Sequence, residues 1–388
     1  MSSEGASGAA MGGQLEEKVD LAGETDAKIL QATTLAMSSS SQLPEALALL
    51  AAMEKKCRLG NDSASLVKVC EASVKLAKEY GADTQYESLI GVLETLSTRR
   101  SQKTAAVKAL VLACLPWCVE EPYKPIAVAN DDEKKRRDKL VNALLEITEG
   151  KIFLERERAQ LTRAMAAIKE EEGDISGAAD QLQDVHVETF GALSKRDKVE
   201  FILEQMRLTL AKQDFIRAHI VAGKVSKKHL AEENMEEYKV KFYELMTIYH
   251  RHKKDSFELA KDYHAIYSTP SIQASPEKWK PALEATICFL ALSPYGNEQQ
   301  DMMNHIAVGN MAHLEQVPAF QQTIQVFLKK EIIQYPMAAQ KELEQIGPII
   351  QQQQQQSSSK MDDDDSSASS SLADHWHSVF RRRIIQHN

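Results

Sequence analysis

Gly173-Asp174-Ile175, Gln213-Asp214-Phe215 and Asp255-Ser256-Phe257 are three turn signals set at nearly equal intervals. Asp174 to Asp214 is 40 residues, and Asp214 to Asp255 is 41. Each turn is followed by a small residue where two helices must approach closely: Ala178, Ala218 or Ala260. A period of about 40 residues lies in the range of α-solenoid arrays, whose units stack to bury one continuous core. The same ruler carried forward from Asp255 lands on Pro294-Tyr295-Gly296, another turn signal. The spacing therefore predicts an all-α chain of helix-turn-helix repeats, built to offer binding surfaces.

Outward from these turns the pattern stays helical. Val199, Ile202, Leu203, Met206 and Leu210 make one apolar stripe. Leu140, Leu144, Ile147, Leu154, Leu161, Met165 and Ile168 keep a seven-residue rhythm, with Gly150 predicting a break inside it. Further upstream, Leu66, Val69, Cys70, Ser73 and Ala77 share a helical face, and Asn61, Asp62 and Ser63 offer caps. Pro116, Pro122 and Pro125 interrupt the helices, because each lacks an N–H and clashes with the preceding turn. The expected organisation is a disordered tail over 1–24, helical repeats over 25–115, a proline-containing loop over 116–130 and a repeat array over 131–330. A low-complexity linker over 331–372 follows, with its Gln351–Gln356 and Asp362–Asp365 runs. A short amphipathic segment over 373–388 then carries Trp376, Val379, Phe380, Ile384 and Ile385. It reads as the start of a truncated module with nothing after it to pack against. A solenoid that loses its cap exposes an apolar face, so a sticky isolated protein is expected.

Bulk composition narrows the function classes. Hydrophobic residues make up 43% of the 388, enough for a folded core. The formal net charge of −9 disfavours a nucleic-acid binder, which needs a basic surface to neutralise phosphates. No window approaches the roughly 18 uninterrupted apolar residues that span a bilayer. Cys57, Cys70, Cys114, Cys118 and Cys288 are odd in number and irregularly spaced. They suit a reducing compartment and no disulfide framework.

The sequence carries no recognisable catalytic or cofactor motif. There is no phosphate loop, nucleotide fingerprint, nucleophile elbow or His-Glu-x-x-His helix, and no cofactor is called for. Cys114 and Cys118 lack the partners of a zinc tetrahedron and read as buried thiols. His250 and His252 stand among cations and read as surface residues. Asp131 to Arg137 reads as a solvated helix face in preference to a nuclear-import signal, with acid first and base later to suit the helix dipole. Glu155-Arg156-Glu157-Arg158 reads as a face laced with salt bridges, with an interface patch as its rival. His375-Trp376-His377 resembles the opening of a JAMM-type deubiquitinase metal site. That pattern's serine and aspartate would fall where this chain has Ile385 and Asn388. A polar helix face is the better reading, and a hydrolase acting through His375 and His377 is kept as a rival.

Several stretches together resemble one family. They include Thr148-Glu149-Gly150-Lys151-Ile152-Phe153, Val187-Glu188-Thr189, the run from Val199 to Leu208, Ala265-Ile266-Tyr267, Glu277-Lys278-Trp279 and Asn297-Glu298-Gln299. Arg99-Arg100-Ser101-Gln102 extends the likeness upstream. These are similar to the PCI-type lid subunits of the 26S proteasome. The resemblance implies a curved α-solenoid of TPR-like repeats ending in a PCI winged helix, which is missing from this chain. It also implies a non-catalytic, hetero-oligomeric scaffold in ubiquitin-dependent protein degradation, found in cytoplasm and nucleus. Implied partners are other PCI lid subunits, the lid deubiquitinase subunit, the ATPase ring and the core particle, with no membrane and no nucleic acid. The paralogous scaffold of the COP9 signalosome is a second reading, and an assembly-incompetent fragment a third. Binding energy concentrates in aromatic and arginine anchors, so Arg99, Arg100, Tyr243 and Trp279 are the candidate interface residues, subject to exposure.

Overall fold

The computed structural model describes residues 20–38, 42–81, 86–120, 123–128, 130–329, 332–333, 378–379 and 381–387. The glutamine run, the Asp362–Asp365 run, His375, Trp376 and His377 lie outside them. The described residues are almost entirely helical, as the turn spacing predicts. They fall into two compact units, Met1–Leu193 and Ser194–Asn388.

In the first unit α1 (Ala22–Ser38), α2 (Leu43–Leu59) and α3 (Ser63–Tyr80) pack on one another in sequence, and α4 (Glu87–Thr98) and α5 (Thr104–Cys114) close against α3. The first helix thus begins inside the stretch expected as a tail. The face predicted on α3 is the buried one: Leu66, Val69, Cys70, Ser73 and Ala77 are all inside. Each fully buried leucine or valine there contributes about 1.5–3 kcal/mol. After α5 comes a 3-10 turn, Leu115–Trp117, and a minimal antiparallel pair, β1 (Val119–Glu120) with β2 (Lys124–Pro125). These two-residue strands are the only sheet among the described residues. The proline segment lies inside the first unit, and the division falls after Leu193. Two cationic side chains fix it there. The Arg137 guanidinium donates to the Ile126 carbonyl at 2.9 Å, and Arg163 lies 4.2 Å above the Tyr123 ring.

α6 (Asp131–Thr148) and α7 (Glu155–Glu171) are separated where Gly150 predicts a break, and its φ of +67° is a conformation glycine adopts without strain. α8 (Ile175–Gln183) then packs back on α7. The charged stretches on these helices correct the sequence reading. Arg137 is buried, turned inward to the hairpin, and so is not part of a solvated face. Glu157 is also buried, while Glu155 accepts from the Gly191 N–H and Arg158 donates to the Leu145 carbonyl. The Glu155–Arg158 run therefore clamps backbone, and is not the ion-pair ladder expected.

The second unit holds α9 (Lys195–Ala211), α10 (Phe215–Ala222), α11 (Lys227–Leu230), α12 (Glu236–Lys253), α13 (Ser256–Tyr267) and α14 (Pro270–Gln273). It continues through α15 (Pro276–Leu292), α16 (Asn297–Gly309), α17 (Met311–Leu314) and α18 (Pro318–Leu328). Three of these helices open on proline, whose missing N–H costs nothing at that position. The predicted stripe on α9 is buried throughout. α15 is the central helix: it packs against both α13 and α18, and every residue from Ala285 to Leu292 is buried. Ile384, from the helical residues 381–387, joins this core, and Arg383 donates to the Leu292 carbonyl at 3.2 Å. The segment thus packs on helices that precede it in the chain.

One connection recurs four times. Asn61, Gly173, Gln213 and Lys254 each take a left-handed φ, at 55°, 86°, 63° and 56°. The next residue is always aspartate. Its N–H closes the preceding helix by donating to the carbonyl five residues back: Asp62 to Cys57, Asp174 to Lys169, Asp214 to Thr209 and Asp255 to His250, at 2.9–3.1 Å. This is the six-to-one bond of a Schellman stop. The aspartate carboxylate then accepts from the N–H three residues on, in Ser65, Gly177, Arg217 and Glu258, capping the next helix. Stop and start share two residues, so the chain reverses in a tight hairpin. Ala178, Ala218 and Ala260 are buried at the close approach that follows.

Candidate functional site

A scaffold's functional site is its surface, so the first question is which expected anchors reach solvent. Arg99 and Arg100 sit in the turn between α4 and α5, where Ser101 takes a φ of 61°. That turn is clamped on Glu54 of α2, whose side chain is fully buried. The Glu54 carboxylate accepts from Arg58 Nε at 3.1 Å, from Gln102 Nε2 at 3.1 Å and from Arg99 Nη1. Arg58 also donates to the Arg100 carbonyl at 2.7 Å, and Gln102 to the Leu96 carbonyl at 2.8 Å. Two guanidiniums and an amide thus surround a carboxylate removed from water. Arg99 works inward as a clamp, whereas Arg100 extends into solvent from the same turn.

Trp279 is 2% exposed, which takes it out of the set of surface anchors by the exposure criterion. Its ring stacks on His313 of α17 at 4.1 Å and meets Tyr267 of α13 edge-on at 6.5 Å. The Tyr267 hydroxyl bonds His313 Nδ1 at 2.6 Å and donates to Asn310 Oδ1 at 3.0 Å. Trp279 is the hub that joins α13, α15 and α17. Tyr243 is half-buried on α12, edge-on to Phe242, with its hydroxyl pKa pushed up by burial and by Asp262.

His250 corrects a second expectation: it is buried, with Nδ1 2.6 Å from Asp262 Oδ2. Burial pushes the Asp262 carboxyl up, and the His250 hydrogen bond opposes that shift. Only His252 is at the surface, stacked on Phe215 at 3.6 Å. The five thiols are all buried and free. Desolvation pushes Cys70, Cys114, Cys118 and Cys288 up to about 12 and raises Cys57 as well. A thiol held protonated is neither nucleophile nor metal ligand at neutral pH. Among the described residues no group of three or more His, Cys, Asp and Glu side chains could hold a metal ion. No described helix is long and apolar enough to cross a membrane.

Sequence reasoning missed the apolar side chains that remain outside. Ile216 and Ile220 on α10 are 78% and 61% exposed, and Ile152 in the turn before α7 is also exposed. The signal was present: Phe215 to Ala222 is apolar on nearly every side, more than an eight-residue surface helix can bury.

The family model described as PSMD12/CSN4, N-terminal, matches residues 45–275, running from α2 in the first unit to just past α14 in the second. The chain is 36% identical over 271 residues to the 26S proteasome non-ATPase regulatory subunit 12 of Dictyostelium discoideum, covering 70% of this chain and 58% of that protein. It is 33% identical over 322 residues to homolog B of the same subunit in Arabidopsis thaliana, covering 77% and 70%. Against the 26S proteasome regulatory subunit RPN5 of Saccharomyces cerevisiae it is 31% identical over 301 residues, covering 78% and 64%. The chain therefore spans less than two thirds of the Dictyostelium and yeast relatives' length. The match includes Arg99–Gln102, the turn from Thr148 to Phe153 and all four Asp-capped connections, and on this evidence the chain belongs to the PSMD12/CSN4 family.

Proposed function

We propose that this chain is a non-catalytic scaffold subunit of the proteasome regulatory-particle lid, supporting assembly and ubiquitin-dependent protein degradation in cytoplasm and nucleus. Its partners on this reading are other PCI lid subunits, the lid deubiquitinase subunit, the ATPase ring and the core particle. The observation that carries the reading is the family match over 45–275, shared with relatives named as proteasome regulatory subunits. The physical chemistry is compatible. The buried groups Glu54, His250 and Asp262 are engaged with one another or with neighbouring arginines inside the helical stacks. Among the surface candidates, Arg100 remains the interface residue we favour in the first unit and Tyr243 in the second.

Affinity purification of the tagged chain from cell lysate, followed by quantitative mass spectrometry, tests this. Lid, ATPase and core-particle subunits should be recovered in comparable amounts. Recovery of COP9 signalosome subunits in their place would move the chain to the paralogous scaffold. Recovery of chaperones alone would mark it as a fragment that does not assemble.

A further inference from the structure

The turn between α4 and α5 gathers more positive charge than it neutralises. Arg58, Arg99 and Arg100 meet there, and among the described residues Glu54 is the one carboxylate paired with them. Arg58 donates its Nε to Glu54 and its Nη1 to the Arg100 carbonyl, and Arg99 donates its Nη1 to Glu54. Arg99 Nε and Nη2 and Arg58 Nη2 are left without a partner among the described residues, and none of the three is a buried atom. The two side chains keep 24% and 14% of their surface in water. The exposed Arg100 side chain pairs with no described residue. The next acids along the chain do not answer this charge. Asp62 is committed to the Leu21 and Ser65 N–H groups, and Glu94 on the last turns of α4 forms no ion pair with the three arginines. Backbone dipoles leave it positive too: the ends of α2 and α4 bring about half a negative charge each, and the start of α5 about half a positive one.

We propose that this turn is a carboxylate-binding site, which takes an acidic side chain of a partner protein on the free edge of Arg99 and on Arg100. Nε and Nη2 are the two parallel donors on one edge of a guanidinium, the fork that a carboxylate accepts with both oxygens. Glu54 grips Arg99 by its remaining nitrogen, so the fork is held in place before a ligand arrives. A donor ordered in advance loses less entropy on binding than a mobile one. Arg100 adds a second charge from the same turn, and opposed charge steers the encounter. One fork and one cation suit a single acid. A nucleic-acid strand needs a run of cations to replace its counterions, and a chain carrying −9 repels it. The inference names what the Arg100 surface takes and so rests on the choice of Arg100 made above. The purified chain tests it without lid subunits, so its failure and that of the lid role are told apart.

The test uses the full chain and a fluorescein-labelled oligoglutamate, with binding read by anisotropy at low salt. Saturable binding is expected, and an oligoglutamine of the same length should not bind. Arg100→Ala should weaken it about five-fold, as the loss of one exposed ion pair allows. Its urea midpoint should stay unchanged, because the side chain pairs with nothing in the fold. Arg99→Lys keeps the charge and removes the fork, and should weaken binding by a similar factor in a chain whose melt shows it folded. Lys228→Ala removes an exposed cation of the second unit and should change nothing. Equal binding by Arg100→Ala, an equal loss in Lys228→Ala or no saturable binding would overturn the inference. Displacement of the probe by phosphoserine or by poly(U) RNA, at concentrations where N-acetylglutamate does not compete, would also overturn it and mark a phosphate site.

Discussion

Asp62, Asp174, Asp214 and Asp255 each end one helix with the backbone N–H and start the next with the carboxylate. Replacing such a cap removes an acceptor from an N–H that has no intrahelical partner. Asp214→Ala should therefore lower stability by about 1 kcal/mol in urea denaturation. The residue before the cap gives the opposite sign. Gln213 holds a φ of 63° against its side chain's preference, so Gln213→Gly should raise the urea midpoint, since glycine adopts that conformation freely. A lower midpoint would mean that the glutamine side chain contributes contacts outweighing the strain. Glu54 is a harder case, because it neutralises Arg58 and Arg99 from a site without water. Glu54→Gln leaves two guanidiniums facing an amide and should cost about 3 kcal/mol. The aspartates were legible in the sequence as turn markers, down to the residue. Glu54 was not, because nothing in Met53-Glu54-Lys55-Lys56 separates a buried acid from the exposed bases beside it, and two of its three partners, Arg99 and Gln102, arrive from more than 40 positions away.

At the scale of elements, burial faces followed from periodicity, as on α3 and α9, because a 3.6-residue repeat leaves one stripe for the core. Inward-turned polar groups did not follow. His250, Arg137 and Glu157 sit in runs of charge that read as solvated, and each is buried because a neighbouring helix or hairpin supplies its partner or covers it. Periodicity also said nothing of α10, where apolar residues exceed the area available to cover them. The packing of α13 carries a pH consequence. His264 lies beside His305 of α16, ring centroids 6.3 Å apart, and near Tyr267. Burial holds its pKa below the usual 6.5, and the nearby His305 and Lys239 charges push the same way. The unfolded chain therefore binds a proton at a pH where the folded chain does not, and stability rises with pH across that interval. Acidification from pH 7.5 through 6.5 and below should lower the urea midpoint. His264→Gln should flatten that slope while leaving the midpoint at pH 7.5 nearly unchanged. An equally steep slope in the variant would place the proton uptake elsewhere.

At the scale of the whole molecule, the helical class and the family were legible, because repeat spacing and several long runs survive in the sequence. The division after Leu193 was not, since the short connection over 190–194 reads like any other loop between two helices. Each unit has its own apolar cluster, and the thiols report on them separately: Cys57, Cys70, Cys114 and Cys118 lie in the first, Cys288 in the second. All five are buried with raised pKa values, so a thiol reagent at pH 7.5 should modify none of them until the surrounding core opens. Leu290 is fully buried beside Cys288 on α15, and Leu290→Ala should cost about 2–5 kcal/mol of that unit's stability. Pulse labelling in rising urea should then expose Cys288 at a lower concentration than in the unsubstituted chain. The four thiols of the first unit should keep their original midpoint. If all five shift together, the two cores open as one cooperative block, and a lesion in either unit removes the whole set of surfaces on which a scaffold depends.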